Sequence, residues 1–396
     1  MKVLCTAQVG GTALGQTMRV VAVAKELKRR GHQVKILAGE KQIPLMQSQG
    51  LDSIPMPTLA IDFPFGAMWG AGGEPREEVM ARLKKSIEPL AKAEQEIVRR
   101  EKPEVLVCAS FTGPSSARAC DIPCAMVVLQ PHGRKTMEFA TQRLQAGTRF
   151  LEMLKAVNLI IMEGMPELDG GIAAEIKGEW AEALREKVRF TGPLLPESPE
   201  NLPAREELKL RYGGRQEGAL VYVTIGGGTP LIGKDFLSLV LEAFRPLPDV
   251  HVVMATGLAL EPGELAEYDP PPNVSVRGFV PGLELIKASD VTVFHGGSST
   301  LMTCLACGTP GVVVPSMVEQ EDNGAVLAAN GAGIVLAKNG LTAAALAAAV
   351  QKILQDPAFR RNAQKLRQLG EKYGGASAAA KMVEEMSKQE LSAKLP

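Results

Sequence analysis

Six side chains between residues 295 and 320 hold most of the chemistry this sequence offers: His295, Ser298, Ser299, Thr300, Glu319 and Gln320. Residues 291–294 are β-formers without alternation, which predicts a buried parallel strand. His295-Gly296-Gly297 is then a tight turn at the strand's C-terminal end. Ser298, Ser299 and Thr300 stand where the next helix must start, and each is a good N-cap residue. Free N–H groups, the helix dipole and three hydroxyls together suit an anion such as a diphosphate. A second apolar strand is predicted over residues 312–314. Glu319-Gln320 follows just beyond Pro315, again at a strand's C-terminal end, where open α/β sheets bind ligands.

The elements that must hold these residues alternate along the whole chain. Residues 2–6 read as a strand and 16–30 as a helix with Val20, Val21, Ala24 and Leu27 on one face. Lys28, Arg29 and Arg30 fill its last turn, and Gly31 supplies the stop. Residues 33–38 complete a βαβ unit. After a proline-rich stretch at 195–204, strands at 220–225, 251–255 and 274–276 lead into the turn at His295. The expected fold is α/β, with two doubly wound domains and a ligand cleft between them. The expected boundaries are 1–197 for the first domain, 198–204 for a linker, 205–375 for the second domain and 376–396 for a terminal helix. Residues 56–73 follow no period but carry Phe63, Phe65 and Trp69. A loop of that length is either the wall of an apolar acceptor site or a segment tucked onto its own core.

Composition narrows the class. At 396 residues the chain exceeds what one hydrophobic core usually serves. Lys+Arg and Asp+Glu both number 44, which argues against a general nucleic-acid binder. No apolar run reaches membrane-spanning length, and the N-terminus carries no signal-peptide pattern, so a cytoplasmic protein without stable membrane insertion is expected. Cys304-x-x-Cys307 has no second pair, and only four histidines exist to complete a zinc site. Both cysteines fall inside a predicted helix, where the thiol serves as a small apolar group.

His295-Gly-Gly-x-x-Thr300, Gly308-x-Pro310, Pro315, Glu319-Gln320 and Asn323 resemble the donor-binding stretch of the UDP-glycosyltransferases. That large inverting family includes plant, animal and bacterial antibiotic- and macrolide-type enzymes. The resemblance extends further. Residues 221–227 resemble the strand and turn that open the family's second domain. Gly278-Phe279-Val280-Pro281 resembles the segment at the nucleotide base, and Arg29–Val34 and Thr191-Gly192-Pro193 also match. It implies a GT-B architecture: two Rossmann-like domains facing across a cleft, with the last helix crossing back to the first. It further implies a nucleotide sugar held mostly by the second domain and a small-molecule acceptor held mostly by the first. Gly226, Gly227, Val280, His295, Gly297, Ser298, Ser299 and Thr300 would contact the donor's nucleotide and diphosphate. Glu319 and Gln320 would hydrogen-bond the transferred sugar. Phe63, Phe65 and Trp69 would line the acceptor side. No Asp-x-Asp pair occurs, so the helix terminus and His295 would replace a metal ion, and no cofactor is expected.

Three positions depart from the family pattern. Where it carries a titrating base in a Gly-His or Gly-Asp pair, this chain has Gly15-Gln16. Glutamine does not titrate near neutral pH. The supporting Asp after the strand at 105–108 is Ser110, and a Glu that in many members binds ribose hydroxyls is Thr303. UDP and dTDP both remain open as the nucleotide. Three readings cover the missing base: an acidic acceptor such as a carboxylate or phenol, a substitute base with His132 the best candidate, or a catalytically silent nucleotide-sugar-binding protein.

Overall fold

The structure is a computed structural model. It describes residues 1–7, 14–57, 76–110, 112–136, 156–168, 186–215, 217–226, 233–257 and 260–393. They fall into two compact units, one drawn from 1–130, 137–196 and 373–396, the other from 131–136 and 197–372.

The first unit is built on seven parallel strands: β1 (Lys2–Ala7), β2 (Gln33–Ala38), β3 (Asp52–Pro55), β4 (Val105–Ala109), β5 (Cys124–Leu129), β6 (Leu159–Glu163) and β7 (Val188–Phe190). Their order is β3-β2-β1-β4-β5-β6-β7, so the winding reverses between β1 and β4. Side chains alternate across the sheet because successive Cβ atoms point to opposite faces. Val3, Cys5, Val105 and Val107 enter one core with helix α1 (Leu14–Arg29). Leu4, Leu106 and Cys108 enter the other with α3 (Arg76–Glu101) and α4 (Gly113–Ala119). The short α2 (Ile43–Ser48) leads into β3.

The last helix, α12 (Gly375–Ala393), packs on this first unit, as the fold class requires. Ala379, Ala380, Val383 and Met386 join the α1 core. Arg30 Nη1 donates to Glu384 Oε2 at 3.2 Å, and His32 Nε2 lies 2.8 Å from Glu384 Oε1. Arg30 and His32, at the stop of α1, thereby anchor the helix.

The second unit has six parallel strands in the order β10-β9-β8-β11-β12-β13. They are β8 (Ala219–Thr224), β9 (Val250–Ala255), β10 (Val274–Arg277), β11 (Val291–Phe294), β12 (Gly311–Val313) and β13 (Gly333–Val335). Its helices are α5 (Arg205–Arg211), α6 (Lys234–Phe244), α7 (Gly282–Ala288), α8 (Ser298–Cys307), α9 (Val318–Ala329), α10 (Ala343–Gln355) and α11 (Pro357–Glu371). Here the winding reverses between β8 and β11, paired with Phe294 opposite Thr224. Arg360 on α11 donates to Gly308 O at 3.0 Å and Ser289 O at 2.7 Å, which fixes the C-terminal end of α8. The sequence reading put residues 131–136 in the first domain. They group instead with the second unit, because Thr136 and His132 bond to α9. Among the described residues no helix is long and apolar enough to cross a membrane.

Candidate functional site

The turns after β8 and β11 lie side by side at the reversal point of the second sheet, and the His295 imidazole is wedged between them. A Cβ on Gly226, whose φ is +69°, would stand 2.8 Å from the ring's Cε1. One on Gly297 would stand 2.5 Å from Nε2. Both glycines are therefore needed for the ring to sit there. Gly296 has φ +89°, and a Cβ on it would come within 2.7 Å of the Gln320 carbonyl.

His295 is 8% exposed. Burial pushes its pKa down to about 4, against a hydrogen bond with the Thr224 main chain that works the other way. At neutral pH the ring is uncharged, and Nδ1 has no hydrogen-bond partner among the described residues. Stability follows with a definite sign. The unfolded chain binds this proton near pH 6.5 and the folded chain near 4, so the contribution is full above about pH 6.5. It is lost as pH falls toward 4, by about 3 kcal/mol. Urea midpoints should therefore drop more steeply between pH 7 and 4.5 for the wild type than for His295→Asn; parallel curves would contradict the buried neutral ring.

Helix α8 starts at Ser298, within the stretch where the sequence places it. Its N-cap is Gly297, with no side-chain cap, and Ser298 is the first helical residue. The cause of the missing cap is tertiary: Ser298 Oγ donates to Glu319 Oε1 instead. The first helical bond runs from Leu301 N to Gly297 O at 3.0 Å, so the N–H groups of residues 298–300 precede it. They and the helix dipole face whatever occupies the turn.

Asn323 ties this turn to α9. Its Nδ2 donates to Gly296 O at 2.8 Å, Glu319 Oε1 at 3.1 Å and Ser298 Oγ at 3.2 Å. With the nitrogen donating, Oδ1 is the acceptor for His132 Nδ1 at 2.9 Å. His132 thus carries its proton on Nδ1, and Nε2 has no partner among the described residues. Burial holds its pKa below the usual histidine value, against the Asn323 bond and the Asp322 charge. Asp322 Oδ2 accepts from Thr136 N at 2.8 Å and Thr136 Oγ1 at 2.6 Å, and Gly133 lies directly against the same carboxylate. Gln320 is buried, with Oε1 accepting from Ser316 N at 2.9 Å and Oγ at 2.8 Å.

The structure brings Gly226, His295, Gly297, Ser298, Ser299, Thr300, Glu319 and Gln320 together at the C-terminal edge of β8, β11 and β12. Val280 is half-buried beyond β10, and its neighbour Phe279 is 69% exposed. Both belong to the 278–281 stretch expected at the nucleotide base. Gln16 is half-buried in α1, in the first unit, and Ser110 is buried just past β4. Gly227, Phe63, Phe65 and Trp69 lie outside the described residues. Among the described residues no group of three or more His, Cys, Asp or Glu side chains is placed to hold a metal ion.

Comparison with known proteins agrees with the fold. Residues 256–386 fit the family described as the erythromycin biosynthesis protein CIII-like C-terminal domain. NDP-glycosyltransferase YjiC of Bacillus subtilis is 24% identical over 95% of this chain and 96% of its own length. The calicheamicin glycosyltransferase CalG4 superposes with a TM-score of 0.73 at 19% identity, covering all of both chains. The spinosyn rhamnosyltransferase SpnG, solved with thymidine diphosphate, gives 0.68 at 20% identity over 97% of this chain and 100% of its own. The two structures show the fold, which is GT-B. By its C-terminal family match and by a likeness that spans nearly its whole length, the chain is similar to glycosyltransferases of the antibiotic and macrolide type. The silent-binder reading gains no support from these relatives.

Proposed function

We propose that the chain transfers a sugar from a UDP- or dTDP-sugar to a small apolar acceptor, with inversion and without a metal ion. One observation carries this reading: a neutral imidazole wedged between two glycine turns, beside an uncapped helix N-terminus, at the reversal point of the second sheet. Such a site meets a diphosphate with main-chain N–H groups, a ring N–H and the hydroxyls of Ser299 and Thr300. These donors are aimed where charge grows as the diphosphate leaves. Glu319 accepts from a sugar hydroxyl, and Gln320, its oxygen taken by Ser316, donates through its amide nitrogen. Phe279 stacks on the base beside Val280, and the thymidine diphosphate of the spinosyn enzyme is the precedent for a nucleotide in this fold. His132 serves as a positioning residue, since its bond to Asn323 holds the amide that braces Gly296.

Inversion follows from one displacement. The acceptor oxygen bonds to the anomeric carbon as the carbon–oxygen bond to the diphosphate breaks on the opposite face. The test is incubation with UDP-glucose or dTDP-glucose and 4-methylumbelliferone in EDTA, with NMR of the product. A β-linked glucoside formed at an undiminished rate is expected. An α-linked product, or activity restored only by a divalent ion, would refute it.

A further inference from the structure

The inference concerns the acceptor side and rests on the proposed transfer reaction. In the first unit the sheet reverses between β1 and β4, and open α/β sheets bind ligands beyond the C-terminal ends of such a pair. One carboxyl group straddles that point. Glu94 lies on the buried stripe of α3, spaced with Leu90, Ile97 and Val98, and is 0% exposed. The surrounding core is Leu4, Leu37, Leu106 and Met126. A carboxyl in such a place is costly unless hydrogen-bonded.

Glu94 is bonded at one oxygen. Oε2 accepts from Thr112 Oγ1 at 2.6 Å and from Thr6 Oγ1 at 3.3 Å. Thr6 is next to the last residue of β1, and Thr112 lies in the turn after β4. Oε1 has no partner of full hydrogen-bond geometry among the described residues, and Ser116 Oγ lies close enough to hold the carboxyl's pKa down together with Thr112 and Thr6. Ser110, at the position where the family's supporting Asp is missing, lies 3.4 Å from Thr112 Oγ1 and accepts from Gly113 N at 3.0 Å. Thr112 is 6% exposed and Glu94 0%.

We propose that Thr112 and Glu94 form the proton-accepting pair of the acceptor site, in place of the residues lost at Gln16 and Ser110. The acceptor hydroxyl gives its proton to Thr112 Oγ1 as Thr112 passes its own to Glu94 Oε2. The acceptor oxygen bonds to the anomeric carbon. The electron pair of the broken bond leaves on the diphosphate. Burial raises the Glu94 carboxyl above the usual carboxylate range, toward the pH at which a base works best. The groups facing it are the hydroxyls of Thr6 on β1, Thr112 after β4 and Ser116 on α4, with the Cys108 thiol on β4. All are neutral, so desolvation sets the direction.

Steady-state transfer from UDP-glucose or dTDP-glucose tests the pair with two acceptors, 2-phenylethanol and 4-nitrophenol. Glu94→Gln and Thr112→Val should lower kcat/KM for the alcohol by about 10²–10⁴-fold. For the acidic phenol, which needs little help, the loss should stay within about tenfold. Thr112→Ser should recover most of the alcohol rate, and the acid limb of the pH profile should vanish in Glu94→Gln. Where neither probe is glycosylated, hydrolysis of the donor is the readout, with water as the acceptor. A merely structural carboxyl would lower both acceptors equally and leave the acid limb in place. Full activity in Glu94→Gln, or in Thr112→Val, would overturn the relay.

Stability gives an independent reading. The folded-state pKa of Glu94 is raised, so folding is penalised as pH rises through it. Glu94→Gln should raise the Tm at pH 8 and leave it unchanged at pH 4.5; an equal change at both would contradict the buried acid. Titration of UDP and dTDP separates the two levels. Nucleotide binding that survives in variants with full transfer sinks this proposal alone, whereas no binding even to the wild type sinks the transferase reading beneath it.

Discussion

His295→Ala should lower kcat/KM by about 10²–10³-fold, the loss typical of one donor removed from a developing oxyanion. The ring lies between Gly226 and Gly297 and is uncharged, so in the proposed reaction it would act as a hydrogen-bond donor and not as a fixed cation. In the proposed reaction its bond to a phosphate oxygen would strengthen as the diphosphate takes on charge. Turnover should therefore fall by more than nucleotide affinity, for which about tenfold is expected. His295→Asn, which keeps a donor on a shorter stem, should fall between the two. Steady-state kinetics beside nucleotide titration check the split. Equal losses in both would make His295 a ground-state binding residue, and no loss in either would remove it from the site.

Asn323→Leu should be the most destabilising single change at the site. It strips a partner from the Gly296 carbonyl and leaves the His132 N–H unpaired beneath it. Each buried polar group left unsatisfied costs about 1–3 kcal/mol, so about 2–6 kcal/mol is expected from the two. The Gly296 turn, already at φ +89° against the Gln320 carbonyl, then loses its brace, and transfer should fall with stability. Urea denaturation followed by tryptophan-independent far-UV dichroism measures this directly. A change below about 0.5 kcal/mol, the range of ordinary surface substitutions, would show that the amide does not hold the turn.

Much of the fold was legible because local chemistry and tertiary packing agree. Gly31 ends α1 at φ +90°, where a side chain is disfavoured, and β11 is buried at every residue of its apolar run. The turn at His295 was legible for the same reason, since glycine and hydroxyl residues at a strand end have few other uses. The start of α8 was legible too, but its lack of a side-chain cap was not, because Glu319, 21 residues away, takes the Ser298 hydroxyl. The position of residues 131–136 was hidden by the same kind of distance, since His132 and Asn323 are 191 residues apart. Glu94 is different. Its spacing with Leu90, Ile97 and Val98 was visible, but the many charges of α3 concealed one acidic residue on the apolar stripe.

The most direct measurement is calorimetric titration of UDP and of dTDP into the wild-type protein in EDTA, repeated with His295→Ala. Saturable binding of at least one nucleotide without metal, weakened about tenfold by the substitution, is the expected result. Binding that needs a divalent ion, or that His295→Ala leaves unchanged, would contradict a diphosphate site built from the His295 turn and the N-terminus of α8.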